Sequence, residues 1–342
     1  MLDIQSTFIE SAFAHCADLS RSVLGKSAPN PNVSAAIYNS HGDLIADGAH
    51  DRTISVDHAE IVALKKAGSA AQGATLVVSL EPCNHVGTTP ACVDAIIAAG
   101  ITRVIYAVVD PNPIAAGGTQ RLKDAGLVVD FIESAALKDI QGAWLHRITR
   151  KRPYFIWKVA STLDGYIAAS DGTSQWISSE QSRADVQLLR SQSDAILVGT
   201  GTALADNPTL HPRIAGAPTP LRVVMGERDI PVDFNLHQGL HQGKGETIFL
   251  KSRDVSALID TLADKAINQV LVEAGPNLGT ALLKAGVIDE IVIYQAPVLL
   301  GSGKSWVTDL GISTIEDGLS LTQISTEKIG PDLKSRYRVG AH

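Results

Sequence analysis

Short apolar runs alternate with amphipathic stretches along most of the chain, and this alternation predicts where its elements lie. The run VSAAIYN, the turn NSHGD and the run LIADGAH predict a β-hairpin over residues 33–50. HAEIVALKKAG predicts a helix beginning at His58 and ending at Gly68, and ATLVVSL a buried strand. PACVDAIIAAG has Pro90 at its start and Gly100 at its end, the asymmetry expected of a helix. RVIYAVVD, a helix through TQRLKDAG and the strand LVVDF continue the series to residue 131. Strands that read as unbroken apolar runs are covered on both faces, so an α/β layered sandwich with a mostly buried sheet is expected. Ahead of it, Ile4, Phe8, Phe13 and Cys16 fall near helical spacing and predict an amphipathic first helix with Cys16 in the core.

A helical stretch over 134–147 leads into TRKRPYF, a charged segment containing Pro153, which is expected to be a linker. A second α/β series follows, with YFIWKVAS, AILVGTG, LRVVMG, TIFL, QVLVEAGP and EIVIYQAPVLLG as strands and helices near 178–192, 254–266 and 277–285. The 342 residues exceed the roughly 150 of one typical core. Two domains are expected, 1–148 and 153–342.

Composition narrows the function classes. Hydrophobic residues at 45% and charged residues at 19% are the mix of a folded chain, not a disordered one. A net charge of −7, with no basic run longer than RKR at 150–152, argues against nucleic acid or an anionic membrane as partner. No apolar run reaches the length of a membrane span, and the first residues lack a basic n-region and cleavage site. Three cysteines make no disulfide framework, so a reducing cytoplasm is the expected compartment.

Two of those cysteines carry chemistry. His58 opens a helix, Cys83 lies in the loop after ATLVVSL, and Cys92 lies in the first turn of the next helix. A helix N-terminus favours the thiolate and offers N–H groups to sulfur. One imidazole and two thiolates supply three of the four tetrahedral ligands of zinc, and the open fourth position is that of a catalytic site. Glu60, two positions after His58, is too close in sequence to chelate with it but well placed to move protons at that open position. This set resembles the zinc-dependent cytidine deaminase-like superfamily, with its H-x-E and P-C…C motifs.

The flanking motifs APNPNV (28–33), HAE, EPCNHVGTTPAC (80s to Cys92) and DPNP (110–113), in that order, resemble the deaminase half of the bacterial bifunctional deaminase/reductase family of riboflavin biosynthesis. The resemblance implies one zinc on His58, Cys83 and Cys92, Glu60 as general acid/base, and contacts to the pyrimidine or its ribose phosphate from Asn32 or Asn30, His50, Asp110 and Asn112. The sequence departs from the family pattern at VSA (33–35) for V-G-C, at Thr88 for a basic residue, and at Gly117–Gly118 for G-x-G.

In the second half, GTGTAL (199–204) lacks the third glycine of a dinucleotide fingerprint and an acidic residue at the end of a clear strand about twenty residues on. GSGKS (301–305) lacks the first glycine of a P-loop, Val298 standing there, and is expected to be a turn. QVLVEAGPNLG places a glycine and a proline ahead of a helix whose free N–H groups could take a phosphate. KVASTLDGYIA, SQWIS, LLRSQSDAILVGTGTALADNPTLHPR and VEAGPNLGTALL together resemble the reductase half of the same family, with its dihydrofolate reductase-like α/β fold. That resemblance implies NADPH along Ala160, Trp176, Thr202, Asp206, Gly275, Pro276, Asn277 and Leu278. It turns Lys158, Ser174, Arg190, Leu210, Arg213 and Glu273 toward the substrate, with the arginines on its 5′-phosphate. Asn207 replaces the second acid of the family's D-D-P.

A cytoplasmic, homo-oligomeric bifunctional enzyme acting on a pyrimidine ribose phosphate is therefore expected. The alternative is a reductase whose first half is a zinc-stabilised scaffold, which Thr88 and VSA favour and Glu60 disfavours. A nucleic-acid base deaminase is disfavoured by the acidic balance and the fused reductase.

Overall fold

The computed structural model describes residues 6–85, 90–114, 117–238 and 245–340. The chain divides into two compact units, Met1–Lys151 and Arg152–His342.

In the first unit, α1 (Ser6–Ser22) precedes the hairpin β1 (Ser34–Tyr38) and β2 (Leu44–Ala49). Then come α2 (Ala59–Ala67), β3 (Thr75–Val78), α3 (Cys92–Ala98), β4 (Arg103–Tyr106), α4 (Gly118–Asp124), β5 (Val128–Phe131), α5 (Ala135–Ile140) and α6 (Gly142–Arg150). The sheet order is β2-β1-β3-β4-β5, antiparallel around β1 and parallel from β3 to β5. β1 and β3 are buried at every position, as their apolar runs predict. Ile9, Phe13 and Cys16 of α1 join Ile37, Leu76, Ile96 and Ile105 in one core. The Cys83 loop leaves the carboxyl end of β3 and the DPNP segment that of its parallel neighbour β4, the edge where open α/β sheets place their sites.

Two expectations need correction here. α3 starts at Cys92 with Ala91 as its N-cap, so Pro90 stands just outside the helix. The stretch over 134–147 is two helices, interrupted at Gln141, whose buried side chain donates to the main-chain oxygen and hydroxyl of Ser79 at 3.2 and 3.3 Å. Ile4 lies outside the described residues.

The second unit contains β6 (Tyr154–Thr162), β7 (Tyr166–Ala168), α7 (Glu180–Ser191), β8 (Ala195–Gly199), α8 (Thr200–Asp206), β9 (Leu221–Met225) and β10 (Thr247–Leu250). It continues with α9 (Val255–Asp264), β11 (Gln269–Val272), α10 (Pro276–Lys284), β12 (Ile288–Ala296), β13 (Lys304–Ser305), β14 (Leu321–Ile329) and β15 (Asp332–Val339). Its sheet runs β10-β9-β8-β11-β6-β12-β15-β14. The first six strands are parallel, and the hairpin β14–β15, which the sequence pattern does not announce, adds antiparallel to β12. The GSGKS segment turns into β13, which pairs with β7. Apolar side chains fill both faces of this sheet. Among the described residues no helix is long and apolar enough to cross a membrane.

Candidate metal centre and cofactor cleft

His58 is the N-cap of α2, yet its ring makes no capping bond. Its Nδ1 instead faces two sulfurs, 3.6 Å from Cys83 Sγ and 3.2 Å from Cys92 Sγ. The three ligand atoms all lie within 4.8 Å of one another, and both cysteines are buried. Zinc bonds of about 2.0 Å to nitrogen and 2.3 Å to sulfur at tetrahedral angles set N···S near 3.5 Å. The observed separations straddle that value, so the donor set fits the ion.

Electrostatics at the sulfurs agrees with this. The hydrogen bond from the Cys92 thiol, helped by His58 and by the Cys92 main-chain N–H, holds the Cys83 thiol down to about 4 against its burial. The same contact pushes Cys92 up, because two thiols this close keep one proton between them. A divalent cation is what allows both to ionise. Glu60 is 3% exposed, and burial first, then the negative charge on Cys83, raise its carboxyl above the ordinary range. It is hydrogen-bonded with Cys92, so a carboxyl that holds a proton readily adjoins the ligand set.

His50 packs edge-on against His58, with ring centroids 5.3 Å apart. Its Nδ1–H donates to the Asp57 carbonyl at 2.7 Å, and its Nε2 accepts from Asn30 Nδ2 at 3.0 Å. Burial lowers its pKa and keeps it neutral. Asn32 accepts from Ser27 Oγ at 2.5 Å and donates to the Ile140 carbonyl at 3.4 Å. Asp110 accepts from the Asn112 main chain at 2.8 Å, and burial, with Glu81 and Cys83 nearby, pushes it up to about 6.

The departures from the family pattern find local explanations where they are described. Ser34, in VSA, accepts from Ser20 Oγ at 2.8 Å and donates to the Cys16 carbonyl at 2.7 Å, a buried use of its hydroxyl under α1. Gly118 lies against the Cys83 loop so tightly that a Cβ there would fall 2.0 Å from the Pro82 main-chain oxygen. α4 is stitched to the loop by Glu81, which accepts from Thr119 Oγ1 at 2.7 Å. Arg121 adds a bond to Asn84 Oδ1 at 3.0 Å and pairs with Asp94 of α3. These loop supports were missed in the sequence, where the paired glycines were their one signal. Thr88 lies outside the described residues.

In the second unit a cavity of about 810 Å³ brings together Lys158, Ala160, Ser174, Trp176, Thr202, Asp206, Glu273 and Gly275. Trp157 and Trp306 also line it. A cleft of about 480 Å³ is lined by Thr202 and residues 275–278. Gly275 is the extended N-cap of α10, without a side-chain cap, and Pro276 follows, so the helix presents open N–H groups there. α10 lies flat on Trp157, since a Cβ at Gly279 would fall 2.0 Å from the indole ring. Room, open N–H groups and a glycine at the helix entry fit a nicotinamide dinucleotide.

Arg190, Leu210 and Arg213 do not line these cavities. Arg190 makes a two-pronged ion pair with Glu273, at 2.6 and 2.8 Å, so its fork is filled by a carboxylate. Burial opposes ionisation of Glu273, but the Arg190 charge and bonds outweigh it and hold the carboxyl below its usual range. Lys158 is lowered, chiefly by burial, and has no hydrogen-bond or ion-pair partner among the described residues. Leu210 sends its side chain into the core from a left-handed backbone, φ 51°. Arg213 is exposed and donates its main-chain N–H to Gln187 at 3.1 Å. Arg222 of β9 was not foreseen; fully buried, it donates to the carbonyls of Asn235, Gln238 and Gly245 at 3.1–3.3 Å and so organises the segment between β9 and β10.

Comparison with known proteins agrees with both halves. Residues 7–108 match the cytidine and deoxycytidylate deaminase zinc-binding region, and residues 153–335 the RibD C-terminal domain. The riboflavin biosynthesis protein RibD of Mycobacterium tuberculosis is 43% identical over 95% of this chain and 96% of its own. That of Escherichia coli is 37% identical over 89% and 92%. Among solved structures, Acinetobacter baumannii RibD superposes with a TM-score of 0.89 at 31% identity, covering 98% of this chain and 100% of its own. The Thermotoga maritima diaminohydroxyphosphoribosylaminopyrimidine deaminase/5-amino-6-(5-phosphoribosylamino)uracil reductase gives 0.87 at 29%, covering 98% and 99%. With a deaminase-like first unit that keeps its His-Cys-Cys set and a RibD-type second unit, the chain belongs to the RibD family of bifunctional riboflavin biosynthesis deaminase/reductases.

Proposed function

We propose that the two units catalyse consecutive reactions on one pyrimidine ribose phosphate. The first is hydrolytic deamination of 2,5-diamino-6-ribosylamino-4(3H)-pyrimidinone 5′-phosphate. The second is NADPH-dependent reduction of the ribosyl side chain to ribityl, giving 5-amino-6-ribitylaminouracil 5′-phosphate. The observation that carries this reading is the convergence of His58, Cys83 and Cys92 beside the buried carboxyl of Glu60.

His58, Cys83 and Cys92 would hold one zinc, which when bound acidifies the attacking water and orients it toward the ring carbon bearing the amine. Glu60 would take a proton from that water and pass it to the ring nitrogen as the C–O bond forms, then take the remaining hydroxyl proton and deliver it to the amine, which leaves as ammonia as the C–N bond breaks. Its burial serves the relay, since raising the carboxyl above the ordinary glutamate range makes it a stronger base for the proton it takes up. His50, buttressing His58 edge-on, and Asp110 at the neighbouring strand end would frame the pyrimidine.

In the second unit a reduced nicotinamide, when bound, would supply the hydride that C1′ of the opened ribose requires. Residues 275–278 at the start of α10 would seat the dinucleotide backbone. Lys158, a cavity-lining cation without an ion partner among the described residues, would meet the substrate together with Ser174, and the Arg190–Glu273 pair would stiffen that wall.

Following ammonia and NADPH separately tests the reading. Ammonia should appear without NADPH, and NADPH should be consumed only once deaminated product is present. No ammonia from fully zinc-loaded protein at high substrate would leave the first unit as the scaffold alternative.

A further inference from the structure

One wall of the 810 Å³ cavity is the segment from Ser174 to Ser178, which runs into the first turn of α7. Core packing does not hold this wall, since Ser174 and Gln175 are exposed and Trp176 is 69% exposed. Its position comes from α7 instead. Arg183, one turn into the helix, places its guanidinium 4.5 Å from the centre of the Trp176 ring and donates to the Ser178 carbonyl at 2.6 Å. The Ile177 main-chain N–H donates back to the Ser174 carbonyl at 3.2 Å, which ties Ser174 into the same block.

The first turn of α7 is itself fixed from outside the cavity. Asp332, the first residue of β15, is 2% exposed. Its Oδ2 accepts from the Ser179 main-chain N–H at 2.7 Å and from the Ser182 hydroxyl at 2.6 Å. Ser179 is the N-cap of α7 and takes the Ser182 N–H on its own hydroxyl at 3.2 Å. A carboxylate at that end also meets the positive pole of the helix. The turn before Asp332 rests on the same place, since a Cβ at Gly330 would fall 2.9 Å from the Gln181 side chain. Farther along α7, Asp185 accepts from Tyr294 Oη at 2.5 Å and pairs with Lys334 at 2.8 Å, and Arg190 pairs with Glu273. The middle and the end of the helix thus have anchors of their own, while the turn that carries the wall leans on Asp332.

We propose that Asp332 is a positioning residue for the reductase reaction. No residue of β14 or β15 lines the cavity, yet through Ser179 and Ser182 this hairpin sets where Ser174, Trp176 and Arg183 stand, and so how tightly substrate is held. The inference rests on the reading of this cavity as the site of reduction.

Steady-state NADPH oxidation by the intact zinc-loaded chain tests it, with deaminated substrate varied, NADPH saturating, and thermal unfolding and ammonia release measured alongside. Asp332→Ala should raise KM for that substrate about tenfold or more with kcat changed less, because a displaced wall weakens binding throughout the reaction. Ser182→Ala, which removes one of the two bonds and lies outside the cavity, should raise KM about threefold or more. Asp332→Asn keeps an oxygen that can accept both bonds, and its KM should stay within about threefold of wild type. Ammonia release should be unchanged in all three. A merely structural role would lower the unfolding temperature and leave KM alone, so KM within about twofold of wild type in both alanine variants overturns the assignment. Should Asp332→Ala fail to fold, Ser182→Ala decides by the same criterion. An equal rise in KM for Asp332→Asn and Asp332→Ala would trace the effect to the lost charge, not to the held turn, and also overturns it. If wild type oxidises no NADPH with deaminated substrate, the reductase reading fails and the inference goes with it.

Discussion

The main-chain N–H of Cys92 points at the sulfur of Cys83, 3.4 Å away. The first turn of α3 therefore supplies one ligand from its own side chain and steadies the other from its backbone, and the loop and the helix depend on each other. Protein purified without chelator should carry about one zinc per chain. Cys83→Ser should lose it and lower the stability of the first unit by more than about 3 kcal/mol, since metal-binding energy is also folding energy. Elemental analysis and thermal unfolding check both.

Glu60→Gln keeps the shape of the buried side chain but removes its proton relay. Zinc content should be unchanged, while ammonia release falls by about 10²–10⁴-fold. NADPH oxidation with already deaminated substrate should continue. A parallel fall of both activities would contradict two separate sites.

Gly118→Ala tests whether α4 sets the position of the ligand loop. Its new methyl would meet the Pro82 oxygen at 2.0 Å and must displace either the helix or the loop that carries Cys83. Zinc affinity and ammonia release should drop about 10–100-fold, as for other supports of a metal ligand. Gly142→Ala, at a helical position where a Cβ meets nothing within 4 Å, is the control and should leave both intact.

The Arg190–Glu273 pair gives the second unit a pH signature. The folded-state pKa of Glu273 lies below its unfolded value. Its stabilisation is complete above the ordinary glutamate value of about 4.3 and is lost as pH falls through the lower folded value. Denaturant unfolding between neutral and acid pH should show this decline. Arg190→Met leaves a buried, unpaired carboxyl, so it should cost about 3–5 kcal/mol at neutral pH and flatten the acid-side decline.

How much of this could be read from the residues depends on how local each signal is. His58, Glu60, Cys83 and Cys92 were legible because few arrangements place an imidazole at the start of one helix, a thiol at the start of the next and a second thiol in the loop that follows the buried strand between them. The break at Gln141 was not, since nothing in ESAALKDIQGAW announces that one amide turns inward to Ser79, far away in sequence. The hairpin β14–β15 escaped because β14 is mostly half-buried or exposed and has too thin an apolar face for a period of two, although the Gly330–Pro331 turn was a usable sign. Arg222 reads as a surface charge in LRVVM; only the loops that fold around it make it a buried one. The reductase wall was legible as a set of motifs, but the Arg190–Glu273 pairing joins residues 83 apart and belongs to the fold alone.

Three of the four tryptophans in the chain, Trp157, Trp176 and Trp306, line the reductase cavity, while Trp144 is in the other unit. Trp157 donates its indole N–H to the Ala274 carbonyl at 3.3 Å and lies under α10, so it adjoins the turn that would receive the dinucleotide. The fold thus carries its own optical gauge. Indole emission overlaps the absorption of a reduced nicotinamide, so binding of the cofactor should quench intrinsic fluorescence by energy transfer, and its oxidation should restore much of the light. Metal removal from the first unit, with only Trp144 to report it, should leave most of that signal in place, which lets the two halves of one unlabelled chain be followed independently.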